Sequence, residues 1–126
     1  MTDRPTSLEL VQAVRLYLEK ELQPALTDPR LRFQTLVAAH VLGIVERELP
    51  VADRLLAEEA QLLTDILGHP VGAADVAAAN EELCRRVREG RYDEDGAMRA
   101  LTERLRPLVV RKLQIANPRY VQAAPR

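Results

Sequence analysis

LVAAHVLGIV, residues 36–45, decides the fold class, because His40 is its only strongly polar side chain. A helix that is apolar around its whole circumference belongs in an interior. The stretch from Leu31 to about Leu49 is therefore predicted to be a central buried helix, with His40 as a neutral, hydrogen-bonded core imidazole. Ala39 and Gly43 stand four residues apart, which would let a neighbouring helix approach closely. A large side chain forced in at Gly43 would cost about 1–3 kcal/mol through overpacking.

Working outward, helix signals recur on both sides. Upstream, Thr6-Ser7-Leu8-Glu9 reads as a capping box opening a helix whose apolar residues include Leu10, Val14, Leu18 and Leu22 and which ends near Pro24. Asp28-Pro29 then pairs a capping side chain with a first-turn proline. Downstream, Pro50 closes the central segment and a third helix is expected over Asp53 to Leu67. Gly68-His69-Pro70 is its stop signal. A fourth helix is expected from about Asp75 to Glu89, with Val76, Ala79, Leu83, Cys84 and Val87 on its inner side. Acidic residues at Asp93-Glu94-Asp95 suit the start of a fifth helix, where the helix dipole favours them. Pro107 lies inside that helix and predicts a kink or break, since it removes a donor and crowds the preceding turn. No alternating strand pattern or long linker interrupts the series. The expected fold is all-α: one domain over residues 1–126, a five-helix bundle with a Pro-kinked last helix.

Composition agrees with that class. Aromatic residues make up 3% of the 126 residues and tryptophan is absent. The core must therefore come from aliphatic side chains and alanine, which favour helices over strands. Cys84 is the single cysteine, so no intramolecular disulfide can form, and a reducing, cytoplasmic setting is expected. MTDRPTSLEL lacks the order of a signal peptide, and Phe33 to Val45 is too short to span a bilayer.

Charge is unevenly spread although the net value is −1. Residues 97–126 carry seven basic side chains and one acidic one, leaving eleven basic and eighteen acidic in residues 1–96. The basic stretch is expected to pack beside acidic helices; its sharper alternative is a docking surface for an anion or a partner. Nucleic acid fits poorly, because the chain is slightly acidic and its basic residues are not interleaved with aromatics.

Catalytic patterns are missing. Ser7 is the only serine and belongs to a helix cap; Cys84 is placed on an apolar side, where a thiol is usually inert. The glycines form no phosphate loop. His40 and His69 have no metal-ligand spacing, and Asp93-Glu94-Asp95-Gly96 fails in calcium-loop register. No catalytic residue, metal or cofactor is therefore expected. Asn80 projects toward the apolar side of its helix and is expected to be satisfied there by a partner. Lys112, also on an apolar side but after the Pro107 kink, is expected to snorkel to water. The candidate binding residues are His40, Arg111, Lys112, Arg119 and Tyr120. The last two follow Asn117-Pro118, where the helix is expected to stop and the Tyr120 ring to cover the end of the core.

Three stretches, RPTSLELVQAVRLYLEKEL (4–22), VAAHVLGIVERELP (37–50) and the run from Asn80 through KLQIANPRY to Tyr120, together resemble a bacterial family of small helical proteins of unknown function. The resemblance covers nearly the whole chain in order. Pro107 departs from the unbroken helix expected in relatives. The genes of that family tend to sit beside those of aminoglycoside-phosphotransferase-like kinases and acyl-CoA dehydrogenases. The resemblance thus implies an accessory, non-catalytic interaction protein for a kinase-like or dehydrogenase partner, with a homodimer as a further expectation. It carries over no catalytic residues. The alternative is a module, or weak enzyme, for an acylated, phosphorylated or CoA-linked molecule, with the basic residues of the last helix holding the anion.

Overall fold

The computed structural model describes residues 3–123. Met1, Thr2 and Arg126, the last counted in the basic stretch above, lie outside them. The described residues form six α-helices with no strands. The first, α1 (Ser7–Tyr17), continues through a π-helical turn, Leu18–Leu22, into Gln23–Ala25. It is followed by α2 (Pro29–Glu48), α3 (Ala52–Leu67), α4 (Val76–Arg88), α5 (Ala97–Ala116) and the short α6 (Pro118–Ala123). They group into two compact units, one ending at Val51 and one beginning at Ala52.

In the first unit, Thr6 accepts the Glu9 backbone N–H at 3.2 Å, as the capping signal requires. The reciprocal half of the box is missing, because Glu9 pairs with Arg4 instead. Pro24 lies one residue before the end of the helix at Ala25, as expected. It has no N–H to give Lys20 and its ring crowds that carbonyl, and the turn before it is widened so that Gln23 donates to Leu18. Asp28 caps α2 through the Arg30 N–H at 2.9 Å, with Pro29 in the first turn.

α1 and α2 pack as an antiparallel pair, the start of α1 lying beside Leu49 and Pro50. The expectation of a buried central helix is overturned here. Of the α2 side chains only Ala39 is buried, together with Gly43, and no residue of α1 is. Phe33 is 67% exposed, Leu36 50%, Val37 45% and Val41 51%. His40 is exposed as well, so it is not a core histidine. A narrow stripe of small residues lets α1 cover one side of α2; Leu42, Ile44 and Val45 are half-buried, and the other large apolar residues are exposed. The close approach at Gly43 is also milder than expected. A Cβ there would meet the Arg47 guanidinium at 3.5 Å and the Arg15 stem at 4.0 Å, both flexible side chains.

The second unit holds the larger core: Ala60, Leu63 and Leu67 of α3, Val76, Ala79 and Leu83 of α4, and Leu101 of α5. Thr64 ties the α3–α4 connection down by donating to Ala60 O and accepting the Val71 N–H at 3.0 Å. Cys84, expected on the inner side of α4, is exposed. Between α4 and α5, Gly90 and Gly96 adopt left-handed backbone, with φ of 83° and 82°. α5 runs unbroken through Pro107, so of the kink or break expected there the break does not occur. The helix does stop before Pro118, as expected, but a new one starts at that proline. Asn117 leaves the helix with φ −154°, and its side chain caps the next one by accepting the Tyr120 N–H at 3.3 Å. Tyr120 is 60% exposed rather than folded over the core.

Candidate functional site

α3 and α5 meet in a polar seam. Glu59 follows the phase of Leu63 and Leu67 and is buried with them. Its Oε1 accepts from Asn80 Nδ2 at 3.0 Å and from Lys112 Nζ at 2.9 Å. One helical position earlier, Glu58 forms an ion pair with Arg111. The adjacent cleft, about 260 Å³, is lined by Glu58, Leu62, Arg104, Pro107, Leu108 and Arg111. That is below the roughly 300–1,000 Å³ usual for small-molecule sites. Of its two basic groups Arg111 is already matched by Glu58, so an anion reaching that guanidinium would have to displace a carboxylate. Asn80 finds the partner that its inward phase demanded, and Lys112, expected to snorkel, meets the same carboxylate instead.

A second cluster lies where α3 meets the loop before α4. Arg86 donates to Leu67 O at 3.1 Å, satisfying a carbonyl at the end of α3, and to Glu82 Oε1 at 2.8 Å. His69 Nε2 lies 2.8 Å from Glu82 Oε2, and His69 Nδ1 3.3 Å from Pro70 O. Both ring nitrogens thus face oxygens. The hydrogen bond to Glu82 raises the His69 pKa above the ordinary histidine value, and the same bond lowers that of Glu82. A carboxylate-held imidazole can orient a general base. Here neither nitrogen is hydrogen-bonded to a hydroxyl or thiol, so the geometry is that of a cationic latch rather than a nucleophile's partner.

Of the five residues expected from sequence, the seam brings together Arg111 and Lys112. Arg119 and Tyr120 sit exposed on α6, and His40 belongs to the first unit. There, Glu46 pairs with Arg15, which also holds Glu19 at 3.0 Å. The Glu46 bond holds the Arg15 guanidinium above its ordinary pKa. Glu59 and the His69–Glu82–Arg86 cluster were not singled out in the sequence. The signal for Glu59 was its place four residues before Leu63. For the cluster it was the i, i+4 spacing of Glu82 and Arg86.

Among the described residues, no group of three His, Cys, Asp or Glu side chains is placed to hold a metal ion. No helix among them is long and apolar enough to cross a membrane. No curated protein and no solved structure matches the chain. The sequence pattern of one family, described as a domain of unknown function (DUF6285), matches residues 24–120, from the turn before α2 to Tyr120 in α6. The chain therefore belongs to the DUF6285 family.

Proposed function

We propose that the protein is a non-catalytic interaction protein that works by presenting a helical surface. The observation that carries this reading is the outward side of α2, where Phe33, Val37 and Val41 are each about half exposed or more. Large apolar side chains gathered on one exposed face mark a contact surface rather than ordinary scatter. The partners suggested by the family resemblance are a phosphotransferase-like kinase or an acyl-CoA dehydrogenase, which the protein would support as an accessory subunit. Affinity capture from the native host, comparing the wild-type chain with Val41→Glu, tests the reading. It predicts that the wild type recovers a specific protein, its own copies included, and that the variant loses it; equal recovery by both would remove the surface from consideration.

The other reading is a binding module for an acylated, phosphorylated or CoA-linked molecule seated in the α3–α5 cleft. Arg104 favours it, since this guanidinium lines the cleft without an ion-pair partner among the described residues. The small volume and the paired Arg111 and Lys112 weigh against it. Thermal shift with CoA esters and sugar phosphates separates the two, because a ligand that binds only the native state raises the melting temperature.

A further inference from the structure

The outward side of α2 carries a pattern more specific than exposed hydrophobicity. At 100° per residue, taking Ala39 and Gly43 as the inward direction, the opposite side of the helix is traced by Arg30, Gln34, Val37, Val41 and Glu48, with Phe33 and the half-buried Ile44 beside them. These positions follow a three-and-four spacing from one end of α2 to the other. That is the seam of a helix that packs lengthwise on another helix. The two ends of the seam differ in sign, Arg30 at the start and Glu48 at the finish. Neither has an ion-pair partner within the chain among the described residues.

We propose that the occupant of this seam is a second copy of the same chain, with α2 packed antiparallel on α2 about a two-fold axis that crosses the outward side midway between Val37 and Val41. The proposal rests on the interaction reading above and names its partner. Antiparallel pairing places Arg30 of each copy beside Glu48 of the other, and Val37 beside Val41. It also sets the two helix dipoles in opposition, which is the favourable arrangement. Parallel pairing would instead set Arg30 against Arg30 and Glu48 against Glu48. A two-fold interface must complement itself, and the charge order along this helix does so in one direction only. The need for a cover is physical too. Ala39 and Gly43 are the only buried residues described in the first unit, too little apolar burial to offset the ordering of two helices.

Sedimentation equilibrium on the full chain decides the matter, with circular dichroism confirming that each variant stays helical. A dimer is expected for the wild type. Val37→Glu puts like charges into the seam and should give a monomer; because Val37 is already exposed, the helices themselves should survive, and Val37→Ala serves as the milder variant. Arg30→Glu and Glu48→Arg should each weaken the dimer about tenfold. The double variant Arg30→Glu/Glu48→Arg should recover wild-type affinity, because only antiparallel pairing restores opposite charges. A dimer indifferent to all four substitutions, or one with no recovery in the double variant, overturns the proposal. A monomer at every concentration does so as well. In that case hydrogen exchange protecting residues 33–44 would assign the face to the chain's own remaining helices. Loss of a captured host protein in Val37→Glu would assign it to another protein and leave the interaction reading standing. With neither, both readings fall.

Discussion

Glu59 brings a carboxylate into the interior of the second unit, where one oxygen meets both Asn80 and Lys112. Removing the cation leaves the desolvation cost in place. Lys112→Met is therefore expected to destabilise by about 1–3 kcal/mol, toward the low end because Lys112 is itself half exposed. Adding Glu59→Leu should return much of the loss, since no buried charge is then left unpaired. Urea denaturation of the single and double variants measures this coupling; simple additivity would place the carboxylate in water. His69 responds to pH in a way that can be signed. Its folded pKa lies above 6.5, so its contribution is complete below that value and lost as pH rises through the raised folded pKa. Glu82 lies below its ordinary 4.5, so its contribution is complete above that value and lost as pH falls through the lowered one. The latch is thus fully formed between about pH 4.5 and 6.5. His69→Gln should lower the melting temperature at about pH 5.5 and leave it almost unchanged at about pH 8.5. The difference should shrink in high salt because the pair is exposed.

At the scale of the helix, Gly43 tests how α1 lies on α2. The space around it suits a methyl group, and alanine is worth about 1 kcal/mol more than glycine in a helix interior. Gly43→Ala should therefore raise stability by up to that amount in thermal melts. Gly43→Leu should lower it, because the larger side chain must displace the Arg15 bridge to Glu46. A loss with alanine would show that α1 and α2 approach more closely than described. The all-α class, the caps at Thr6 and Asp28 and the need of Asn80 for a partner were legible, because propensity, capping and phase are local properties. Burial of α2 was not. LVAAHVLGIV has the composition of a core helix, and composition is the same whether the covering surface comes from the same unit or from elsewhere. Tyr120 failed for a related reason: Asn-Pro ends one helix, but with Asn117 as a cap it equally begins another.

The two units differ in how well they are covered, and that difference should appear when the whole chain unfolds. The second unit buries seven apolar residues around Leu63, whereas the first buries an alanine and a glycine. If the first unit depends on a second copy, its melting must shift upward with protein concentration. Tyr17 belongs to the first unit, and Tyr92 packs against the core of the second, so tyrosine signals from single Tyr→Phe variants can follow the two separately. A Tyr17-reported transition independent of concentration would contradict that dependence. The left-handed glycines have a consequence that reaches beyond one molecule. Gly90 and Gly96 frame the turn between α4 and α5, and a side chain at either would be held in a conformation that L-residues resist. Gly43 sits in ordinary helical backbone with room for a methyl group. As sequences of this family drift apart over evolutionary time, position 43 should wander freely between glycine and alanine, while positions 90 and 96 stay fixed or change only to asparagine.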